Sequence, residues 1–238
     1  MDAKKDLIIN GLNAYYGKAQ VLHDLSLKVH PGEKVAILGR NGMGKTTLLK
    51  AVFGIGGVRR QGQILYGGKD CQSLPAHAVA RQRIGYVPQG WRLFQALTVE
   101  EHLVMAYRKG AGAEEWTPER VLETFPEIGR RRKISGTKLS GGEQQILAIG
   151  RALVTNPDLL LMDEPSEGVS TMVLDRIREI CGQLVEQGKS ILLVEQNLDL
   201  ALKIGDRVYI LVNGQIVHSA ASEAFKEDKE KQRAYLGI

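Results

Sequence analysis

The chain has 238 residues, of which 43% are hydrophobic, enough for one large domain or a core carrying a subdomain. Its net charge of +5 is too modest an excess to argue for nucleic acid. No run of ~18 apolar residues is present, and Met1-Asp2-Ala3-Lys4-Lys5-Asp6 leads into a strand-like segment, so neither a membrane span nor a secretion signal is supported.

Residues 7 to 30 alternate apolar and polar in short runs, which predicts antiparallel strands. Tyr15 and Tyr16 in this stretch read either as ordinary strand aromatics or as a stacking platform for a base, a contact that any base would satisfy. Lys34-Val35-Ala36-Ile37-Leu38 reads as a short buried strand and Thr47 to Phe53 as an amphipathic helix. Between them, Gly39-Arg40-Asn41-Gly42-Met43-Gly44-Lys45-Thr46 fits the loop pattern G-x-x-x-x-G-K-[ST], which arises by chance in such a chain with a probability on the order of 1%. Glycines let successive N–H groups face phosphates, Lys45 reaches the β/γ-phosphates, and the Thr46 hydroxyl completes the shell of a Mg²⁺ ion.

From about Thr98 to Arg151 the pattern is helical, with Glu100, Glu101 and Glu119 near helix starts. The basic cluster Arg130-Arg131-Arg132-Lys133 has no interleaved aromatics and reads mainly as a solvated helix end, with contact to a partner as the other reading. Leu139-Ser140-Gly141-Gly142-Glu143-Gln144-Gln145 places a hydroxyl and bare N–H groups at a helix N-terminus, which is either an ordinary capped helix start or an anion site. Next, Asp158-Leu159-Leu160-Leu161-Met162-Asp163-Glu164-Pro165 is an apolar run ending in two carboxylates, as expected of a buried parallel strand whose carboxyl end meets ligand. Alternation along that strand predicts Asp163 facing the metal and Glu164 facing the attacking water. A helix over about 171–187, the strand Ile191 to Val194, a helix through Leu202 and a strand pair around Gly214 complete the core. Gly188-Lys189-Ser190 resembles the end of a second phosphate loop, but Gln183 replaces its first glycine and a strand follows, so it reads as a helix-to-strand turn. Cys71 and Cys181 lack ligand spacing and are expected to be reduced thiols, and the run Lys226 to Lys231 reads as an exposed helical face.

Taken together, these motifs resemble the ATP-binding subunit of an ABC transporter over nearly the whole chain. The wording around them is similar to importers of branched-chain amino acids and their urea or short-chain amide relatives. The marks are an aromatic A-loop residue placed at Tyr16, Walker A at 39–46, a Q-loop glutamine at Gln89, the signature from Leu139, and Walker B with its glutamate at 159–164. A D-loop region follows at Ser166-Glu167-Gly168-Val169, and a switch region at Leu193-Val194-Glu195-Gln196. Two departures stand out: Gln196 replaces the switch histidine, and Gly168-Val169-Ser170-Thr171 replaces the subgroup's usual Gly-Leu-Ala-Pro.

The resemblance implies an α/β fold, a RecA-like P-loop NTPase core with an antiparallel β subdomain, over approximately 1–89 and 156–238, and an inserted α-helical subdomain over approximately 90–155. It implies ATP and Mg²⁺ as cofactors, with Glu164, Gln196 and Lys45 catalytic and Thr46, Gln89 and Asp163 holding the metal. Nucleotide would be bound by Tyr16, Gly39, Asn41, Gly42, Gly44, Lys45, Thr46 and Thr47, and by Ser140, Gly141, Gly142 and Glu143 of a second cassette, identical or paralogous, arranged head-to-tail. The other implied partners are transmembrane permease subunits and, indirectly, a periplasmic substrate-binding protein, with no nucleic acid. The expected location is peripheral, on the cytoplasmic side of the membrane. Trp91 and Phe94, beside the Q-loop, read either as anchors for a membrane subunit or as packing between subdomains. An exporter of lipid or lipopolysaccharide is the main alternative. ABC ATPases that act on DNA or on ribosomes need a long coiled coil or two cassettes per chain, and neither pattern is present.

Overall fold

The structure is a computed structural model that describes residues 5–110 and 115–237. Residues 1–4, 111–114 and 238, which fall within the ranges assigned above, lie outside the described residues. In chain order the strands are β1 (Leu7–Tyr16), β2 (Ala19–Val29), β3 (Lys34–Leu38), β4 (Arg59–Tyr66), β5 (Lys69–Asp70), β6 (Ile84–Val87), β7 (Leu159–Asp163), β8 (Ser190–Glu195), β9 (Arg207–Val212) and β10 (Gln215–Ala221). The helices are α1 (Lys45–Phe53), α2 (Ala76–Arg81), α3 (Val99–Ala106), α4 (Pro118–Thr124), α5 (Pro126–Gly129), α6 (Gly141–Leu153), α7 (Thr171–Glu186), α8 (Leu198–Ile204), α9 (Ser222–Glu227) and α10 (Lys229–Leu236).

The strands form two sheets, in the orders β2-β1-β4-β5 and β10-β9-β3-β8-β7-β6. The first is antiparallel, as the alternation over residues 7 to 30 predicts. In the second, β6, β7, β8, β3 and β9 run parallel and β10 closes the edge antiparallel. The apolar runs of this sheet are explained by burial on both faces. Val35, Ile37, Leu159, Leu161, Leu192 and Val194 pack into the core shared with α1 and the antiparallel sheet. Their neighbours Ala36, Leu38, Leu160, Met162, Ile191 and Leu193 pack on the other face, against α6 and α7. Each such leucine or isoleucine is worth ~1.5–3 kcal/mol when fully buried.

The helices between β6 and β7 start where the sequence marks them. Thr98 and Glu101 form a reciprocal capping box at α3, and Thr117 caps α4 with Pro118 in the first turn. The basic cluster lies beyond α5, and its charges are largely engaged: Arg132 and Lys133 pair with Glu100, and Arg131 with Glu143. Gly188, at φ 74°, makes the turn from α7 into β8, as read from the sequence. Cys71 and Cys181 are free and buried. The run Lys226 to Lys231 departs from a single helical face. Asp228 leaves the helical conformation (φ −85°, ψ 73°) and accepts from the Lys231 N–H, so α9 ends and α10 begins there. An N-cap aspartate gains more from ending a helix than from continuing one.

Candidate active site

The parallel strands deliver their carboxyl ends to one side of the sheet, and β3 is continued there by the glycine loop. A Cβ on Gly39 would stand 2.6 Å from the Leu211 carbonyl oxygen, so no larger residue fits. Gly44 has φ 101°, and a Cβ there would meet Leu22 at 2.7 Å. The loop runs into α1 with Lys45 as its first residue, so unpaired N–H groups of the first turn are available to an anion. Lys45 is only 3% exposed; its Nζ donates to the Gly39 and Arg40 carbonyls at 2.7 and 3.0 Å and pairs with Glu164 Oε1 at 2.9 Å.

Asp163 ends β7 fully buried, where its carboxylate accepts from Thr46 Oγ1 at 2.9 Å and from the Tyr86 hydroxyl at 3.0 Å. Burial raises the Asp163 pKa, and the two hydrogen bonds oppose that rise. Burial also raises the Tyr86 pKa, which keeps its hydroxyl protonated and donating. Glu164 reaches its place differently from the expected strand alternation. It lies past the end of β7 in the left-handed region at φ 47°, with its N–H donating to the Val194 carbonyl at 3.0 Å. This turn sends its carboxylate to Lys45 and to Gln89, whose Nε2 lies 3.3 Å from Oε2. The same Gln89 nitrogen donates to Glu167 at 2.9 Å.

These groups surround a cleft of about 560 Å³. Of the residues singled out from sequence, Asn41, Gly42, Gly44, Lys45, Thr46, Thr47, Gln89, Glu164 and Gln196 line it. Asp163 reaches it through Thr46, and Gly39 through its carbonyl contact with Lys45. The two tyrosines are distinguished: Tyr15 has the Arg59 guanidinium 4.1 Å above its ring and donates to Gln61, whereas Tyr16 is 37% exposed. Neither lines the cleft.

Ser140, Gly141, Gly142 and Glu143 stand outside it as well. Within this chain they form a capping box at α6, with the Ser140 N–H donating to Glu143 at 2.8 Å and the Glu143 N–H to Ser140 Oγ at 3.4 Å. Gly141 is covered by Trp91, whose ring lies 3.3 Å from where a Cβ would stand. Trp91 and Arg92 are both left-handed, and Arg151 of α6 donates to their carbonyls at 2.9 and 2.8 Å. Trp91 is therefore packing between the Q-loop segment and α6, while Phe94 is 51% exposed.

Sequence reasoning assigned no role to Tyr86, Glu167 or Glu195, all of which bond within this network. Glu195 is 1% exposed, and burial raises its pKa while Ser166, Gln196 and Asn197 donate to it. A carboxylate closing an otherwise apolar strand was the one available signal. Among the described residues no cluster of three or more His, Cys, Asp and Glu suits a metal ion. The oxygen donors Thr46, Asp163 and Gln89 instead suit a hard cation that takes its remaining ligands from water and phosphate.

The sequence profile described as ABC transporter matches residues 22–167. The chain belongs to the ABC transporter family. It is 42% identical to the "High-affinity branched-chain amino acid transport ATP-binding protein BraG" of Pseudomonas aeruginosa, over 97% of this chain and 99% of that protein. It is 37% identical to the "Lipopolysaccharide export system ATP-binding protein LptB" of Escherichia coli, over 96% and 95% of the two chains. Among solved structures it resembles the ADP conformation of MJ1267, an ATP-binding cassette of an ABC transporter, with a TM-score of 0.80 and 25% identity over 99% and 98% of the chains. It also resembles the dimeric structure of MJ0796, a bacterial ABC transporter cassette, with a TM-score of 0.77 and 26% identity over 91% and 98%. This ABC cassette has no helix among its described residues long and apolar enough to cross a membrane.

Proposed function

We propose that the chain is the ATP-hydrolysing subunit of a membrane ABC transporter that imports branched-chain amino acids or related small amides. The observation that carries the ATPase reading is the convergence of Lys45, Thr46, Gln89, Glu164 and Gln196 on one cleft at the N-terminus of α1, and the likeness to BraG supports the transported substrate. The glycine loop and Lys45 bind the phosphates, and Tyr16 stacks on the adenine. Thr46 and Gln89 would hold Mg²⁺, with Asp163 supporting its shell, and the ion would supply positive charge against the phosphates. Glu164 orients and polarises the attacking water. Gln196 contacts the γ-phosphate as a neutral amide, which positions it without exchanging a proton. The test is phosphate release by the purified chain with MgATP. Glu164→Gln should lower kcat by about 10²-fold or more while ATP still binds, and wild-type turnover in this variant would sink the assignment.

The signature residues belong to a second site in this reading. Ser140, Gly141, Gly142 and Glu143 lie outside the chain's own cleft, which supports a head-to-tail pair of cassettes, each supplying the signature to its partner's γ-phosphate. The division into a nucleotide-binding core, approximately 1–89 and 156–238, and a helical arm, approximately 90–155, then has a purpose: the arm presents the signature. A membrane subunit docks along the groove between α1, β6 and α3. Phe53, Ile55, Tyr86, Pro88 and Phe94 line its apolar part, and Met105 and Tyr107 lie in a more polar part with Arg108 and Arg151. That contact would hold the cassette at the cytoplasmic side of the membrane. Export of lipopolysaccharide is the second reading, favoured by the LptB likeness. Co-purification with permease subunits and a periplasmic binding protein, with ATP-dependent amino-acid uptake, separates import from export.

A further inference from the structure

Glu195 ends β8 with 1% of its surface exposed, yet it lies in the wall of the nucleotide cleft. Its groups meet three of the loops around that cleft. The backbone carbonyl accepts from Gly39 N–H at 3.4 Å, at the start of the phosphate loop. Side-chain Oε1 accepts from Ser166 N–H at 3.0 Å, in the loop that follows Glu164. The other oxygen, Oε2, accepts from the Ser166 hydroxyl at 2.8 Å, from Gln196 N–H at 3.1 Å and from Asn197 N–H at 3.2 Å. Every partner of the carboxylate is a donor, and three of the four are backbone N–H groups, which cannot reverse their role. An amide would set its NH₂ against Ser166 N–H in one orientation and against Gln196 and Asn197 N–H in the other. The site is therefore built for a carboxylate, and a buried N–H left facing another donor is costly.

We propose that Glu195 is a positioning residue for ATP hydrolysis. It fixes the loop that carries Glu164 to the loop that carries Gln196 and registers both against the phosphate loop, so that the water-polarising carboxylate and the γ-phosphate contact keep one geometry. The inference rests on the roles given above to Glu164 and Gln196. It goes beyond them because Glu195 itself touches neither water nor phosphate in this scheme.

The experiment is steady-state ATP hydrolysis by the full chain carrying Glu195→Gln, Ser166→Ala, or both, with thermal unfolding of each. Glu195→Gln should lower kcat about 10- to 100-fold, the scale of a displaced catalytic group. Its KM for ATP should move less than about 3-fold, because phosphate binding is left in place. Ser166→Ala removes one of the four bonds and should lower kcat about 3- to 10-fold, and the double variant should be no slower than Glu195→Gln, since both act through one junction. A Glu195→Gln chain with wild-type kcat, a matched loss in KM, or additive single effects would overturn the proposal. If Glu195→Gln does not fold, Ser166→Ala decides alone: a fall in kcat at unchanged KM supports the junction, and unchanged kcat overturns it. Glu164→Gln separates the two levels. Wild-type turnover in that variant defeats the reading of the whole site, whereas its loss beside an unaffected Glu195→Gln defeats only the present inference.

Discussion

Ser140 can be read in two ways that make different numerical demands. Its hydroxyl accepts from Glu143 N–H and caps α6, a contact worth about 1 kcal/mol. A cap alone predicts that Ser140→Ala lowers the melting temperature and leaves the turnover of the folded protein unchanged. If the hydroxyl also closes on a partner cassette's γ-phosphate, ATPase at saturating ATP should fall more than about 10-fold even where the protein is fully folded. Calorimetry and phosphate release on the same sample distinguish these outcomes. Gly44 is constrained more simply. Its φ of 101° and the 2.7 Å approach of Leu22 to a would-be Cβ mean that Gly44→Ala strains the loop and displaces Lys45. We expect a loss of about 1–3 kcal/mol in stability together with lost ATP binding, measured by denaturant unfolding and nucleotide titration.

At the scale of elements, α3 and the segment after Gln89 are joined by His102. Its ring is fully buried: Nδ1 donates to the Thr98 carbonyl and Nε2 accepts from Phe94 N–H, both at 2.8 Å. That pattern requires the neutral ring, and a second proton would face Phe94 N–H. Burial lowers the His102 pKa below its ordinary value. The unfolded chain therefore takes up the proton at a higher pH than the folded one does. Stability from this contact is present above about pH 6.5 and is lost as pH falls below it. The difference in melting temperature between wild type and His102→Gln should shrink on going from about pH 7.5 to about pH 5.5. A constant difference would show that the ring does not titrate in this way. Because Phe94 flanks the proposed docking groove, the same acid shift should loosen the groove's rim.

For the molecule as a whole, the chain's single phosphate loop and single signature lie apart, so that on the proposed reading a complete site requires a second cassette. Glu164→Gln with ATP should accumulate a dimer by light scattering, and a sample that stays monomeric while still hydrolysing ATP would oppose both the pairing and the glutamate's role. The groove makes a separate demand. Trp91 packs on Gly141 and is poorly suited to testing contact with a membrane subunit, whereas Met105 is 55% exposed and does not line the nucleotide cleft. Met105→Glu should leave ATP hydrolysis by the purified chain unchanged and weaken co-purification with membrane subunits, because it replaces an exposed apolar side chain of the groove with a charge that must be desolvated on contact.

The phosphate loop, the Walker B run and the signature were legible because each is a contiguous segment whose chemistry and backbone conformation are fixed by neighbours in sequence: glycines where φ is positive, apolar runs where a strand is buried on both faces, a serine and glutamate three apart where a helix begins. The C-terminal helices were misread for a local reason as well, since Asp228 competes as a cap with the helical charge pattern around it. What only the tertiary structure decided are contacts between distant segments. The left-handed turn that aims Glu164 at Lys45, the covering of Gly141 by Trp91, and the four donors gathered on Glu195 from residues 166, 196 and 197 depend on strand order and register. A linear sequence states which groups a chain carries. Their distances follow from how the parallel strands pair and where their carboxyl ends emerge together, and that pairing is a property of the folded sheet.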